Sequence, residues 1–266
     1  MILFDLVGDN EDHPAYENLT LQNGARQYDF LKSVVEAAIA VGRPFLSTQV
    51  IKALNYHAIA CLHAFAGEYR PCQVRVGPYL PPPEYRVQAL MDDMVNSVNR
   101  NFEAGDPLML AAFALWKLNN IHPFINGNGR TARAVCYFII CVRAGAWLPG
   151  ATILPKLIKR DRAKSVIGLR IADGGDLSVL HALISDLLYE QIHGVPPPGG
   201  GEWDVAIARA NANAEAAAKA AAEAAAIAAA EAASEAKAAA EAAAAIARNK
   251  HRKCKKDVRA AKRRRS

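Results

Sequence analysis

The chain has 266 residues, 52% hydrophobic and 22% charged, with 32 Lys and Arg against 26 Asp and Glu. That length supports one sizeable core plus an appendage, and no apolar run reaches about 20 residues without a charge, which excludes a membrane-spanning helix. Five cysteines (Cys61, Cys72, Cys136, Cys141, Cys254) are an odd number with no Cys-x-x-Cys pair, which speaks against a disulfide framework or a zinc site and suits a reducing compartment.

Residues 1–30 contain acids and lack the basic-then-apolar order of a secretory leader, so a cytoplasmic location with no membrane partner is expected. Apolar residues recur mostly at helical spacing, and the expected fold is all-α with one small hairpin. Residues 1–49 read as an N-terminal helical segment and 50–190 as the core domain. Within that core, Tyr69 to Pro83 alternates and ends in three prolines, the pattern of a short edge hairpin. Asp106-Pro107 reads as an N-cap followed by a first-turn proline. The apolar run Leu108 to Leu118 then continues as a helix buried on nearly all sides, ended by Asn119-Asn120. A second helix is expected from about Asn128 to Arg143, with Val135, Phe138, Ile139 and Val142 facing the core and Gly145 as its stop.

Between these helices lies His122-Pro-Phe-Ile-Asn-Gly-Asn-Gly-Arg-Thr-Ala-Arg133. Gly127 and Gly129, without Cβ atoms, let backbone approach a ligand closely. The first turn of the following helix offers free N–H groups and the positive end of its dipole. Arg130 and Arg133 share a helix face and are able to fork onto one polyphosphate. His122 precedes the turn and titrates near neutrality, as a general base should. The twelve residues therefore read as a phosphate cradle with a base beside it.

After Tyr189 the composition changes. Residues 191–204, rich in proline and glycine, read as a linker, and 205–247, mostly alanine with Glu and some Lys, as a long helical spacer. The stretch 248–266 holds eleven of the 32 basic residues and one of the 26 acidic ones, leaving 21 basic against 25 acidic elsewhere. The basic character thus belongs to the tail, which suits a nucleic acid or another acidic surface; a solvated chain end is the alternative.

The segment His122–Arg133 resembles the signature of the Fic (filamentation induced by cAMP) domain family, His-Pro-Phe-x-Asp/Glu-Gly-Asn-Gly-Arg-x-x-Arg. Every defined position matches except the acidic one, where Asn126 stands. Leu62-His63, Gly67-Glu68-Tyr69-Arg70, Val74 to Gly77, Pro81 to Pro83 and Leu90 to Asp93 resemble the usual upstream half of that domain. The resemblance implies a Fic-type helical bundle with a small β-hairpin flap, to which this chain adds its alanine-rich helix. It implies an enzyme that transfers AMP from ATP, with Mg²⁺, to a hydroxyl side chain of a target protein docked on the flap, residues 69–83. His122 would be the base. Gly127, Asn128 and Gly129 would form the anion hole, and Arg130 and Arg133 would hold the donor phosphates.

Three positions qualify what the resemblance carries. The family's carboxylate at position 126 holds Mg²⁺, and the amide of Asn126 is a weaker ligand for a hard cation. The segment Ser165 to Asp173 occupies the place of a family stretch bearing two base-stacking tyrosines, both absent here, which leaves UMP, GMP or phosphocholine transfer open beside AMP. A Fic-shaped binding module whose working part is the basic tail is the non-enzymatic alternative. Near the N-terminus, His13 to Asn18 partly resembles an inhibitory helix of the family, implying that Glu17 pairs with Arg133; a solvated chain end is the other reading.

Overall fold

The computed structural model describes residues 2–43 and 46–229. The chain divides into two compact units, residues 1–210 and 211–266.

The first unit is helical. Short α1 (Leu3–Leu6) precedes α2 (Pro14–Val41), whose start is set by Pro14 in the first helical turn and by the His13 ring, which accepts from the Ala15 N–H. Proline at that position loses no helical hydrogen bond, so it begins the helix instead of breaking it. Then come α3 (Thr48–Ile59), α4 (Val87–Arg100) and α5 (Pro107–Ile121), the last capped by Asp106 accepting from the Met109 N–H at 2.6 Å. Next, α6 (Asn128–Ala144) is closed by Gly145 in the left-handed conformation, and α7 (Leu154–Arg160), α8 (Arg162–Asp173) and α9 (Ser178–His193) complete the bundle.

The central element is α6. From Thr131 to Cys141 all of its residues are buried except Arg133. It packs on α5, α2, α3 and α7, which explains why apolar residues cover more of it than one stripe. The preceding α5 continues to Ile121, beyond the Asn119-Asn120 pair expected to stop it. The buried Gln191 amide is matched: it donates to the Tyr137 hydroxyl at 2.8 Å and the Pro149 carbonyl at 2.9 Å, and accepts from the Leu154 N–H at 2.6 Å.

The expected hairpin is reduced to one bridge. Val76 and Tyr79 exchange N–H···O bonds at 2.9 and 3.0 Å, and no longer strand is formed among the described residues. Pro78 and the run Pro81–Pro83 lack the donors a ladder needs. Side chains close the loop instead: Gln73 donates to the Pro81 carbonyl, and the Arg70 guanidinium spans the carbonyls of Cys72 and Pro82.

The proline- and glycine-rich segment returns to α9. Asp186 accepts from the N–H groups of Glu202 and Trp203 at 2.8 and 2.9 Å, and Trp203 packs against the core. In the second unit, residues 211–229 are helical and exposed. The rest of the alanine-rich spacer and the basic tail lie outside the described residues.

Ile139→Ala removes a fully buried side chain from the central helix and is expected to cost about 2–5 kcal/mol in urea unfolding. Leu21→Ala, at a position 74% exposed, should change stability by no more than about 0.5 kcal/mol.

Candidate active site

The site begins where α5 ends. His122 caps that helix in the left-handed region (φ 52°, ψ 59°), with its N–H on the Leu118 carbonyl at 3.0 Å. This conformation is uncommon for a side-chain-bearing residue and must be held by its surroundings. Arg70 does so. Its Nε donates to the His122 carbonyl at 2.9 Å, and its backbone N–H donates to Pro123 at 2.8 Å. Burial pushes the His122 pKa down to about 4, with the Arg70 charge adding to the effect and a hydrogen bond to the Asn119 backbone opposing it. The ring is therefore neutral, able to take a proton, at ordinary pH.

The loop from Pro123 to Gly127 folds around two asparagines. The Asn128 side chain accepts from the Phe124 N–H at 2.9 Å and donates to the Phe124 carbonyl at 2.8 Å. Asn55, fully buried on α3, donates to the Asn126 carbonyl at 2.9 Å and accepts from the Gly67 N–H at 3.0 Å. Gly127 is left-handed (φ 77°), and a Cβ there would lie 2.7 Å from Ile59 and 2.9 Å from Asn55. Its bareness thus serves packing against α3.

Beyond Gly127 the first turn of α6 begins. The Gly127 carbonyl accepts the first helical bond, from Thr131, and the N–H groups of Asn128, Gly129 and Arg130 have no acceptor among the described residues. These free donors lie at the helix start where the sequence led us to expect them. Arg130 lies alongside, donating to the Ala58 carbonyl at 2.9 Å and the Asn126 amide oxygen at 3.0 Å. Arg133 stands one turn on. Its Nε is buried without a partner, and no ion pair among the described residues uses either arginine. An orphaned buried guanidinium N–H is costly unless an anion meets it.

The donor set does not fit a protein-held Mg²⁺. The Asn126 amide oxygen is uncharged, and both of its lone pairs are taken, by Arg130 and by the Gly127 N–H at 2.6 Å. No group of three or more acidic, His or Cys side chains able to hold a metal occurs among the described residues.

The acid nearest this cluster is not the expected one. Glu17 lies exposed in the first turn of α2, and no ion pair joins it to Arg133. The half-turn of sequence before that helix brings in Glu11 instead, whose carboxylate accepts from the Asn126 amide at 3.1 Å and sits 3.5 Å from the buried His63 ring. Tyr16, one residue before Glu17, turns inward and places its hydroxyl 2.7 Å from His63. The α8 segment contributes no aromatic platform: Ser165 is buried on the Ile158 and Asp161 carbonyls, and Asp173 accepts from Trp116 and Asn120.

The profile of the Fic/DOC family matches residues 45–140, a span holding His122, the anion turn, both arginines, Asn55 and Arg70. Residues 45–140 are a Fic/DOC family domain. The protein adenylyltransferase Fic of Drosophila willistoni is 36% identical over 121 residues, 45% of this chain and 23% of that protein. The protein adenylyltransferase fic-1 of Caenorhabditis briggsae is 42% identical over 114 residues, 42% of this chain and 21% of that one. The chain thus spans less than a quarter of the length of these curated relatives. The solved structure of Fic-1 (residues 134–508) from C. elegans superposes with a TM-score of 0.51 over 73% of this chain and 52% of that one, at 24% identity, and shows the fold alone.

Asn55 and Glu11 belong to no motif of the sequence, and His63 and Tyr16 lie in stretches of the resemblance that assign them no role. A lone asparagine inside an apolar helical face, as Asn55 is in α3, was the one available signal, because burial of an amide requires partners.

Gly127→Ala meets both backbone strain and the Ile59 side chain, and should lower stability by at least about 2 kcal/mol. Gly129→Ala faces only the movable end of Arg133 at 3.2 Å; it should cost less than about 1 kcal/mol. Parallel thermal melts separate the two.

Proposed function

We propose that this Fic/DOC domain is a transferase that moves AMP from ATP to a hydroxyl side chain of a target protein. The observation that carries the reading is the convergence at the start of α6: unsatisfied N–H groups, two arginines without carboxylate partners, and a neutral imidazole at the preceding helix end. The adenylyltransferase names of the partial relatives support it. Anion, cation and base sites in this order suit phosphoryl chemistry, which needs positioning and charge stabilisation above all.

In the proposed step His122 takes the proton of the attacking hydroxyl. The hydroxyl oxygen bonds to the α-phosphorus as the bond from that phosphorus to the β-phosphate bridge breaks, and pyrophosphate leaves with the electron pair. The α6 N-terminus and Arg130 meet the charge on the phosphates, and Arg133 meets the terminal phosphate through the donors now without partners. Residues 69–83 stand beside His122, tied to its loop by Arg70 and by the Tyr79 hydroxyl on the Asn120 carbonyl at 2.7 Å. Backbone left unpaired in this flap can receive an extended stretch of target. The absence of stacking tyrosines in α8, with Asp173 at its end, favours a second reading in which the donor carries UMP, GMP or phosphocholine. In either reading the basic sequence 248–266 suits an acidic partner surface, nucleic acid foremost.

Incubation with candidate targets and α-phosphate-labelled ATP should transfer label, and His122→Ala should abolish at least about 99% of it while a surface control retains it. Equal labelling by both proteins refutes the assignment, and mass spectrometry of the product distinguishes AMP from the other groups.

The acid limb of the kcat/KM profile is expected near pH 4 and not near the ordinary 6.5, because burial keeps the His122 ring neutral through that interval. Between those two pH values the unfolded chain binds more protons at this residue than the folded one, so stability falls as pH drops through the window. Recovery of activity on return to neutral pH, with circular dichroism unchanged at each point, separates titration from unfolding.

A further inference from the structure

We propose that Arg130, seated on Asn126, supplies the positive charge on the phosphate side of this site in place of a divalent cation held by the protein, and that His63 is the positioning residue that keeps the Asn126 amide turned for it. The inference rests on the reading of this turn as a donor-phosphate site.

The orientation of the Asn126 amide follows from its four neighbours. Its nitrogen faces two acceptors, Glu11 Oε1 at 3.1 Å and His63 Nε2 at 2.9 Å. Its oxygen faces two donors, the Gly127 N–H at 2.6 Å and Arg130 Nη2 at 3.0 Å. Turning the amide over would set acceptor against acceptor at Glu11 and donor against donor at Gly127 and Arg130, so these three neighbours determine the assignment. His63 accepts from the amide only in the neutral form with its proton on Nδ1. Burial favours that form, against the opposing pull of Glu11 and Asp5 and with the Arg130 charge in support. The Tyr16 hydroxyl meets the same Nε2 at 2.7 Å and shares that atom with the amide, while the Phe4 ring, 4.6 Å between centroids, packs against the imidazole.

The consequence falls on Arg130. Two carbonyl oxygens, of Ala58 and of the Asn126 side chain, fix one hydrogen on each terminal nitrogen of the guanidinium. The Tyr16 hydroxyl lies on one further donor, and those left over face a ligand with the geometry that suits phosphate. A divalent cation approaching the Asn126 oxygen would have to displace an arginine and then lie beside it without any carboxylate at position 126 to offset the repulsion. Asparagine thus does more than weaken a metal ligand: it turns that position into an acceptor for a resident cation.

The test is calorimetric binding of inorganic triphosphate, which removes the question of the base, to the full chain in excess EDTA and in saturating Mg²⁺. The two affinities of the wild type should agree within about threefold, and Arg130→Ala should lose at least about tenfold in both conditions. Asn126→Asp, nearly isosteric, should bind at least about tenfold tighter with Mg²⁺ than without it. In EDTA, His63→Leu should weaken binding at least about fivefold, and His63→Gln, whose amide oxygen accepts in the same direction, should restore most of it. A merely structural role for His63 would lower the melting temperature without separating those two affinities, and that result overturns its positioning role. Wild-type binding that requires Mg²⁺, or an Asn126→Asp protein indifferent to it, overturns the metal-free assignment while the phosphate site stands. No binding in either condition removes the phosphate-site reading and this inference with it.

Discussion

A short loop buried between two helices is stable only if something other than the loop meets its backbone groups, and the segment from His122 to Gly127 is such a loop. Its carbonyls and N–H groups are met by side chains from elsewhere: Arg70 from the flap, Asn55 from α3, and Asn128 from the helix the loop introduces. Removing any one would leave a buried polar group unmatched, at about 1–3 kcal/mol each. The rest of the site depends on this scaffolding. His122 holds a left-handed conformation because Arg70 and the end of α5 leave it no other, and α6 starts at Gly127 because only a residue without a Cβ fits against Ile59 and Asn55.

The same geometry sets the electrostatics. Packing α6 inside the bundle buries Arg133 in part and leaves Nε without a protein acceptor. Packing α5 against it desolvates His122 and keeps the imidazole neutral. A neutral imidazole and guanidinium groups outside any ion pair among the described residues are opposite consequences of one burial: desolvation penalises the charged form of histidine, whereas arginine cannot give up its proton and so retains an appetite for anions.

The N-terminal residues extend this site across the chain. The N–H groups of Leu3 and Phe4 bond the carbonyls of Cys61 and Leu62 at 3.0 and 3.2 Å, which lays residues 2–16 over the region carrying His63. Glu11 and Tyr16 reach the signature loop as a result, through contacts that span more than a hundred positions in the case of Glu11 and Asn126. Glu17, one residue beyond Tyr16, points the other way. Successive residues on a helix are about 100° apart, so a single position decides whether a side chain enters the core or the solvent.

The amino-acid sequence by itself determined the local architecture around the His122–Arg133 segment. Asp106-Pro107 marked the start of α5, Gly145 the end of α6, and the contiguous run His122–Arg133 brought base, turn and cations together, because capping, left-handed turns and i,i+3 spacing are properties of neighbouring residues. Tertiary structure alone decided the rest. The flap did not become a ladder, since Arg70 and Gln73 captured its carbonyls and its prolines had no donors to offer. The carboxylate beside Asn126 came from Glu11 and not Glu17, and the Asn126 oxygen went to Arg130. Those outcomes are set by contacts between residues far apart in the chain, and an isolated Glu, His or Asn in a sequence carries no mark of the distant partner that its burial requires.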